Sequence, residues 1–314
     1  MIRSSPSARE HRKGVLLMIG ATLCWSTAGV SVRNLTLTDG WEITFWRSLF
    51  MTVFILAVLA VQHRGATLQR IRDVGMAGVL VGALWALMYV CFITALGLTT
   101  VANVLVLASL SPFAAALLGR VFLSEHVPAR VWLTMAAAFI GIVLMFIDAF
   151  NSGGLVGNLL ALAIPISFAC NVVILRKTQA QVDMIPTLVL SGLFSMAVTA
   201  PLAQPFTATP LDMSVLAIMG VVQLGVGCLL MLAATPRLAA AEIGLLAVLE
   251  TVFGTASTWL FVGEHPGRLA LLGGLVVIGA LVVNELIALR RRIATAAQAK
   301  PAVNVVSSTL KRMP

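Results

Sequence analysis

The chain has 314 residues, of which 60% are hydrophobic and only 11% are charged. This composition excludes a soluble globular domain, because a single aqueous core could not bury so much apolar surface. The net charge of +9 would favour nucleic acid as the partner of a soluble protein, but the basic residues lie between long apolar segments, which argues against nucleic-acid binding.

Apolar segments long enough to cross a bilayer recur from one end of the chain to the other. A hydrocarbon layer about 30 Å thick needs about 20 residues of helix for each crossing. The sequence predicts ten transmembrane helices, at residues 14–34, 41–62, 74–97, 101–123, 129–148, 155–175, 184–203, 214–235, 241–262 and 269–289. Only residues 98–100 separate the third span from the fourth, so a tight helical hairpin is expected there.

The first span follows Arg12 and Lys13 and is long enough to cross, so we interpret it as an uncleaved helix rather than a signal peptide. If this span enters from the cytoplasm, all 21 basic residues except Arg33, Arg47 and Arg268 fall on the cytoplasmic side. This bias is the positive-inside pattern. It predicts that both termini are cytoplasmic.

The two halves of the chain are related in sequence. Residues 102–126 align without gaps to residues 241–265, and both segments end in Glu-His. The segment that begins at Gly14 likewise aligns to the one that begins at Gly157, which places Trp25 opposite Phe168. Polar residues shared at the same place in each half are not explained by chance apolar similarity.

Each half holds five predicted spans, an odd number, so the second half must start on the opposite side of the membrane. The predicted fold is therefore an all-α integral membrane protein of two inverted five-helix repeats. The repeats cover residues 14–148 and 155–289, between a cytoplasmic tail at 1–13 and a basic cytoplasmic tail at 290–314. Inverted repeats can offer one central site to the two sides of a membrane in turn, which is typical of transporters.

These features resemble the drug/metabolite transporter superfamily, in particular its EamA-type members with ten helices. The motifs that carry the resemblance are Cys24-Trp25-Ser26, Phe45-Trp46-Arg47, Leu123-Ser124-Glu125, Leu249-Glu250 and Val262-Gly263-Glu264. The resemblance implies a cavity surrounded by spans 1 to 4 and 6 to 9, in a carrier of the bacterial inner membrane that commonly exports amino acids or related metabolites. The sequence departs from the family at Thr251, where members often have proline.

Two charged residues lie inside predicted spans. Arg47 is costly there unless it pairs with Glu42 or Asp39 near the surface, or binds an anionic group of the substrate. Glu250 lies near the middle of the ninth span, where an ionised carboxylate is also costly, so it is a candidate for substrate binding and for proton coupling. Glu242, nearer the cytoplasmic end of that span, is interpreted as an exposed interfacial charge.

Other polar and aromatic residues inside the spans are candidates for lining a cavity, although helix packing explains each of them as well. Pro112 and Pro165 should kink their helices, and Gly78 and Gly82 favour close packing of the third span. The residues that we predict to bind substrate are Trp25, Arg47, Trp85, Tyr89, Asn103, Asn171, Gln223 and Glu250.

No catalytic, nucleotide-binding or metal motif is present, and no cofactor is expected. The pairs Glu125-His126 and Glu264-His265 fall on opposite membrane faces, so they cannot share one ion. The expected partners are therefore the lipid bilayer and a small-molecule substrate. A drug or organic-cation exporter remains an alternative, as does an integral membrane enzyme or sensor.

Overall fold

The computed structural model describes residues 8–63, 66–99, 101–146, 154–178, 183–263, 267–269, 271–284, 286–287 and 290. Within these residues the regular structure is entirely helical. The first half contains α1 (Ala8–Trp25), α2 (Ala28–Arg33), α3 (Gly40–His63), α4 (Thr67–Asp73), α5 (Gly75–Leu98), α6 (Val101–Ala108), α7 (Ser111–Leu123) and α8 (Ala129–Phe146). The second half contains α9 (Leu155–Thr178), α10 (Thr187–Thr199), α11 (Pro210–Ile218), a π-helix (Met219–Val226), α12 (Gly227–Ala234), a 3₁₀ turn (Thr235–Arg237), α13 (Ala240–Ala247), α14 (Leu249–Val262) and α15 (Leu271–Asn284).

Seven helical segments of the described chain are long and apolar enough to cross a membrane. They are Arg9–Arg33, Gly40–Gln62, Gly75–Ala95, Asn103–Leu123, Leu155–Thr178, Pro210–Arg237 and Ala240–Phe261. Three shorter apolar helices, Ala129–Met145, Thr187–Thr199 and Leu271–Asn284, occupy the places predicted for spans five, seven and ten. The all-helical membrane architecture is thus confirmed, whereas a count of ten crossings stays a prediction.

The helices pack in pairs that correspond when the two halves are exchanged. The third span (α5) packs along the sixth (α9), as the first (α1) packs along the eighth (α12). The third span also packs on the seventh (α10), as the eighth packs on the second (α3) through its π-helix. The contacts of α3 with α10 and of α7 with α13 join corresponding spans across the centre.

The ends of the fourth and ninth spans show the same correspondence. The residue that follows α7 and caps its C-terminus is Ser124, with a φ of 54°. The aligned residue Gly263 caps α14, with a φ of 76°. Both residues are in the left-handed region, which costs glycine little and serine more. The related backbone at these two ends supports the sequence alignment of the halves.

Contacts between helix ends define two faces of the bundle. At the N-terminal face, Gly14 lies against Arg237, and Gly119 and Glu125 lie against Ala240. At the opposite face, which we call the far face, residues 36–42 meet residues 207–212, and Leu98 and Thr99 meet Gly157. The turn after Leu98 is as tight as predicted, because α6 begins at Val101.

A buried carboxylate joins two segments of the chain at the far face. Glu42 is 0% exposed and accepts hydrogen bonds from Thr207 N (2.9 Å), Ala208 N (2.8 Å) and Trp46 Nε1 (3.2 Å). Asp212 acts similarly, accepting from Thr36 N (2.7 Å) while it completes a capping box with Thr209 at the start of α11. These bonds join the start of α3 and the loop before it to the start of α11 and the loop before it.

We expect Glu42→Ala to lower the free energy of unfolding by about 3 kcal/mol, because it leaves several buried donors without an acceptor. Thermal unfolding in detergent measures the loss. Asp39→Ala is the matched control, since among the described residues the Asp39 carboxylate accepts only a local bond from Trp41 N and should change stability less. An equal loss in both variants would contradict this role for Glu42.

Candidate functional site

A cavity of about 160 Å³ lies in the middle of the bundle. Its walls come from α1 to α3, α5, the junction of α6 with α7, α9, the π-helix, and the junction of α13 with α14. Helix α8 and helix α15 contribute no residue to it. They pack on each other instead, close enough that a Cβ atom added to Gly141 would lie 2.8 Å from Gly273 O.

The first span is interrupted where it reaches the cavity. Helix α1 ends at Trp25 and α2 starts at Ala28, and the hydroxyl groups of Ser26 and Thr27 bond to Leu23 O and Cys24 O. Carbonyl groups freed by a helix break need other donors inside a membrane. Trp25 O accepts from Gln223 Nε2 (3.4 Å), and Ser26 O accepts from Ser257 Oγ (3.1 Å).

The π-helix places Gln223 at this break. Such wide turns are rare and occur frequently at functional sites. Here Gln223 lines the cavity and is only 5% exposed, and within the described part of the chain its Oε1 atom has no hydrogen-bond partner. The amide therefore bonds the first span through its nitrogen and keeps an acceptor available beside the cavity.

The fourth and ninth spans are interrupted at aligned positions. Helix α6 ends at Ala108 and α7 starts at Ser111, while α13 ends at Ala247 and α14 starts at Leu249. Pro112 explains the first break, because it lacks an N–H and clashes with the preceding turn. Thr251 replaces the aligned proline, yet the break persists, so its geometry does not require proline. Pro165, in contrast, lies inside a continuous α9.

Arg47 reaches the cavity from α3 and is 5% exposed. Its guanidinium lies 5.9 Å from the centre of the Tyr89 ring, within the range of a cation–π contact. Among the described residues it makes no hydrogen bond or ion pair, and its Nε atom is buried without a partner. The predicted pairing with Glu42 is absent, because that carboxylate binds Thr207, Ala208 and Trp46.

Glu250 faces the same cavity from the first turn of α14. The positive end of a helix dipole favours a carboxylate at this position. Glu250 interacts electrostatically with Arg47, but within the described part of the chain the two form no ion pair. Both charges therefore remain available to a molecule that enters between them.

The remaining walls are largely aromatic and apolar. Trp85 and Tyr89 lie on one face of α5 with their ring centres 5.9 Å apart, and Phe92 and Phe168 extend the surface. The Tyr89 hydroxyl lies 3.8 Å from Cys228 Sγ. A cavity that combines two opposite charges with aromatic walls can accommodate an organic molecule that carries both charges.

Six of the eight residues predicted to bind substrate line this one cavity. They are Trp25, Arg47, Trp85, Tyr89, Gln223 and Glu250. Asn103 and Asn171 do not line it. Asn103 donates to Thr99 Oγ1 (3.0 Å) and Asn158 Oδ1 (3.2 Å), whereas Asn171 is fully buried in α9. Sequence analysis did not select Ser109, Ile164 and Thr251, which also line the cavity.

Several contacts join the spans between the cavity and the N-terminal face. Glu125 pairs with Arg176 and accepts from Ala240 N (3.0 Å), which joins the ends of the fourth and sixth spans to the start of the ninth. Just beneath the cavity, a Cβ atom added to Gly244 would lie 2.7 Å from Pro112 Cα. Helices α13 and α7 are therefore in close contact between the cavity and the N-terminal face.

The described residues contain no group of three or more His, Cys, Asp or Glu side chains that could hold a metal ion. Glu125 is occupied by Arg176 and Ala240, and Glu242 accepts from Ala239 N (3.0 Å), which caps α13. Glu264 and His265 lie outside the described residues.

The sequence matches the model of the EamA-like transporter family twice, over residues 12–147 and 155–285. Among characterised proteins, it is similar to the pseudopaline exporter CntI of Pseudomonas aeruginosa (strain UCBPP-PA14), with 27% identity over 281 residues, 86% of this chain and 95% of that protein. It is also similar to protein RarD of Escherichia coli (strain K12), with 23% identity over 300 residues, 91% of this chain and 98% of that protein.

A solved crystal structure superposes on the fold with a TM-score of 0.75 and 18% sequence identity, covering 89% of this chain and 98% of the other. At this level of identity the likeness establishes the fold alone. The two family matches, in contrast, extend over nearly all of both halves of the chain.

Proposed function

The chain belongs to the EamA-like transporter family, and from this premise we propose that it exports a small zwitterionic solute, an amino acid or a related metabolite, by alternating access. It is a membrane transporter rather than an enzyme. The observation that carries the proposal is that two opposite charges, Arg47 and Glu250, line one aromatic cavity and form no ion pair among the described residues.

Each charge has a distinct role in this proposal. Arg47 binds the carboxylate of the solute, since its planar fork of donors matches two carboxylate oxygens. Glu250 binds the ammonium group. Trp25, Trp85 and Tyr89 hold the apolar part of the solute, and Gln223 contributes a hydrogen bond.

The same carboxylate couples transport to protons. A carboxylate in a low-dielectric interior is held ionised by an ammonium group and is readily protonated when that group leaves. Protonation of Glu250 from outside would release the solute, and the proton would then travel inward as the cavity returns. The exchange of one solute for one proton supplies the driving force.

The architecture is two inverted repeats, at residues 14–148 and 155–289, each with five crossings. The matched helix contacts and the aligned breaks near residues 109 and 248 support this arrangement. The protein lies in the inner membrane of a bacterium, with the N-terminal face and both tails, 1–13 and 290–314, in the cytoplasm, and the positive-inside pattern of the basic residues supports this orientation. The far face then lies on the side to which an exporter releases its cargo.

Flux into proteoliposomes that contain the purified protein tests the substrate class. We expect an aromatic or large aliphatic amino acid to be carried at least about tenfold faster than its methyl ester or its decarboxylated amine, because each analogue removes one of two charge contacts. Each flux is measured with and without an imposed proton gradient. Equal rates for amino acid and amine would contradict the role of Arg47 and support the second candidate, an organic-cation exporter, which Glu250 and the aromatic walls would also fit.

A further inference from the structure

Asn171, in the middle of α9, is a buried polar residue that the proposed site does not use. Its side chain is 0% exposed, and neither its Oδ1 nor its Nδ2 atom has a hydrogen-bond partner among the residues that the structure describes. Val172 and Leu175 beside it belong to the apolar core. An amide left without partners in such surroundings is destabilising, so its presence requires an explanation.

The position of Asn171 on its helix relates it to the cavity. Ile164 and Phe168 line the cavity, and Asn171 follows three residues after Phe168 on the same helix face. Further along α9 lies Arg176, which pairs with Glu125 near the N-terminal face. Asn171 therefore lies between the floor of the cavity and this ion pair.

The internal repeat relates Asn171 to the cavity in a second, independent way. In the alignment that pairs Trp25 with Phe168, the counterpart of Asn171 is Ala28. Trp25 and Phe168 both line the cavity, as do Ser111 and its counterpart Glu250. Ala28, in contrast, lines the cavity while Asn171 does not.

The same one-sided pattern occurs elsewhere. Ile164 lines the cavity but its counterpart Ala21 does not, and Leu105 lines it but its counterpart Gly244 does not. At the centre of the bundle, both residues of an aligned pair thus line the cavity. Toward the far face, only one residue of each of these pairs lines it. When the two halves exchange conformations, the other members should line a path to the N-terminal face.

We propose that Asn171 lines the solute path in the conformation open to the N-terminal face and hydrogen-bonds the solute there. This inference rests on the proposed transport function. It explains why the amide has no partner in the present conformation, because the partner is the solute or the water that accompanies it. Asn103 provides a contrast, since its amide nitrogen already donates to Thr99 Oγ1 and Asn158 Oδ1 in the present conformation.

Cysteine labelling from each side of the membrane tests the path. In a variant in which Cys24, Cys91, Cys170 and Cys228 are replaced, we introduce Asn171→Cys, Ala28→Cys or Val172→Cys and apply a charged, membrane-impermeant methanethiosulfonate to vesicles of either orientation. Asn171→Cys should react from the N-terminal face, and Ala28→Cys from the far face. The buried neighbour Val172 should react at least about tenfold more slowly from both, as expected of a packed core side chain. If Asn171→Cys reacts no faster than Val172→Cys, or only from the far face, the proposal is wrong.

Flux through the cysteine-free parent separates the two possible failures. If the natural chain carries no solute, transport itself is rejected. If the cysteine-free parent carries solute but its Asn171→Cys variant is unreactive, only the role of Asn171 is rejected. In the natural background, Asn171→Leu gives a second measurement. We expect flux to fall about tenfold, the equivalent of one lost hydrogen bond, while the unfolding temperature is unchanged or raised. Parental flux in Asn171→Leu would overturn the proposal independently of any labelling.

Discussion

Replacing Arg47 with alanine should abolish recognition of the solute carboxylate and reduce flux by at least about thirtyfold, since loss of one member of a desolvated charge contact costs 2 kcal/mol or more. The remaining flux should no longer distinguish an amino acid from its methyl ester. Arg47→Lys keeps the charge but loses the planar fork, so its flux should lie between those of the parent and Arg47→Ala.

Stability distinguishes this role from a structural one. Because Arg47 makes no hydrogen bond or ion pair among the described residues, removing it should not lower the unfolding temperature. Arg130→Ala is the matched control, since that guanidinium donates to Asn284 O (2.9 Å) and Asn284 Oδ1 (3.2 Å) away from the cavity. We expect Arg130→Ala to lower stability and leave ester discrimination intact. Destabilisation by Arg47→Ala with unchanged discrimination would show that Arg47 is structural.

Replacing Glu250 with glutamine should remove both ammonium recognition and proton coupling. Flux of the amino acid should fall by about tenfold to a hundredfold, while an analogue that lacks the ammonium group should be carried as by the parent. The stimulation by an imposed proton gradient should disappear, because the amide cannot take up a proton.

Glu242→Gln is the control within the same span. Its carboxylate caps α13 through Ala239 N, so the substitution should affect stability more than selectivity. If Glu250→Gln loses flux but still responds to the gradient, another group carries the proton. If it retains both flux and selectivity, the assignment of Glu250 is wrong.

The positions of the apolar helices followed directly from the sequence, because span length is set by bilayer thickness and charges mark the ends. The shape of the helices did not follow. Pro112 correctly indicated a break, but the break after Ala247 has no proline, and Pro165 lies in a continuous helix. Whether a helix bends at such a point depends on the partners available to its free carbonyl groups, which are set by packing.

The candidate site shows the same limit. Charged residues such as Arg47 and Glu250 are so costly in a membrane that their placement toward a cavity could be predicted individually. Whether a buried amide side chain binds a solute or another helix could not be predicted, since both kinds of contact use the same hydrogen-bonding groups. Asn103 bonds Asn158 from the neighbouring helix, and nothing in its sequence context separates it from Gln223. The π-helix that places Gln223 has no signal in the sequence that we can identify.

Differences between the halves have a consequence for the transport cycle. The first span is broken at Ser26 and Thr27 while the corresponding α9 is continuous, and the π-helix of the eighth span has no counterpart in α5. Identical halves would give two end states of equal free energy, and an empty carrier would wait equally at either side of the membrane. This molecule should instead have a preferred resting side, so that its half-saturating solute concentration differs between the two compartments it connects.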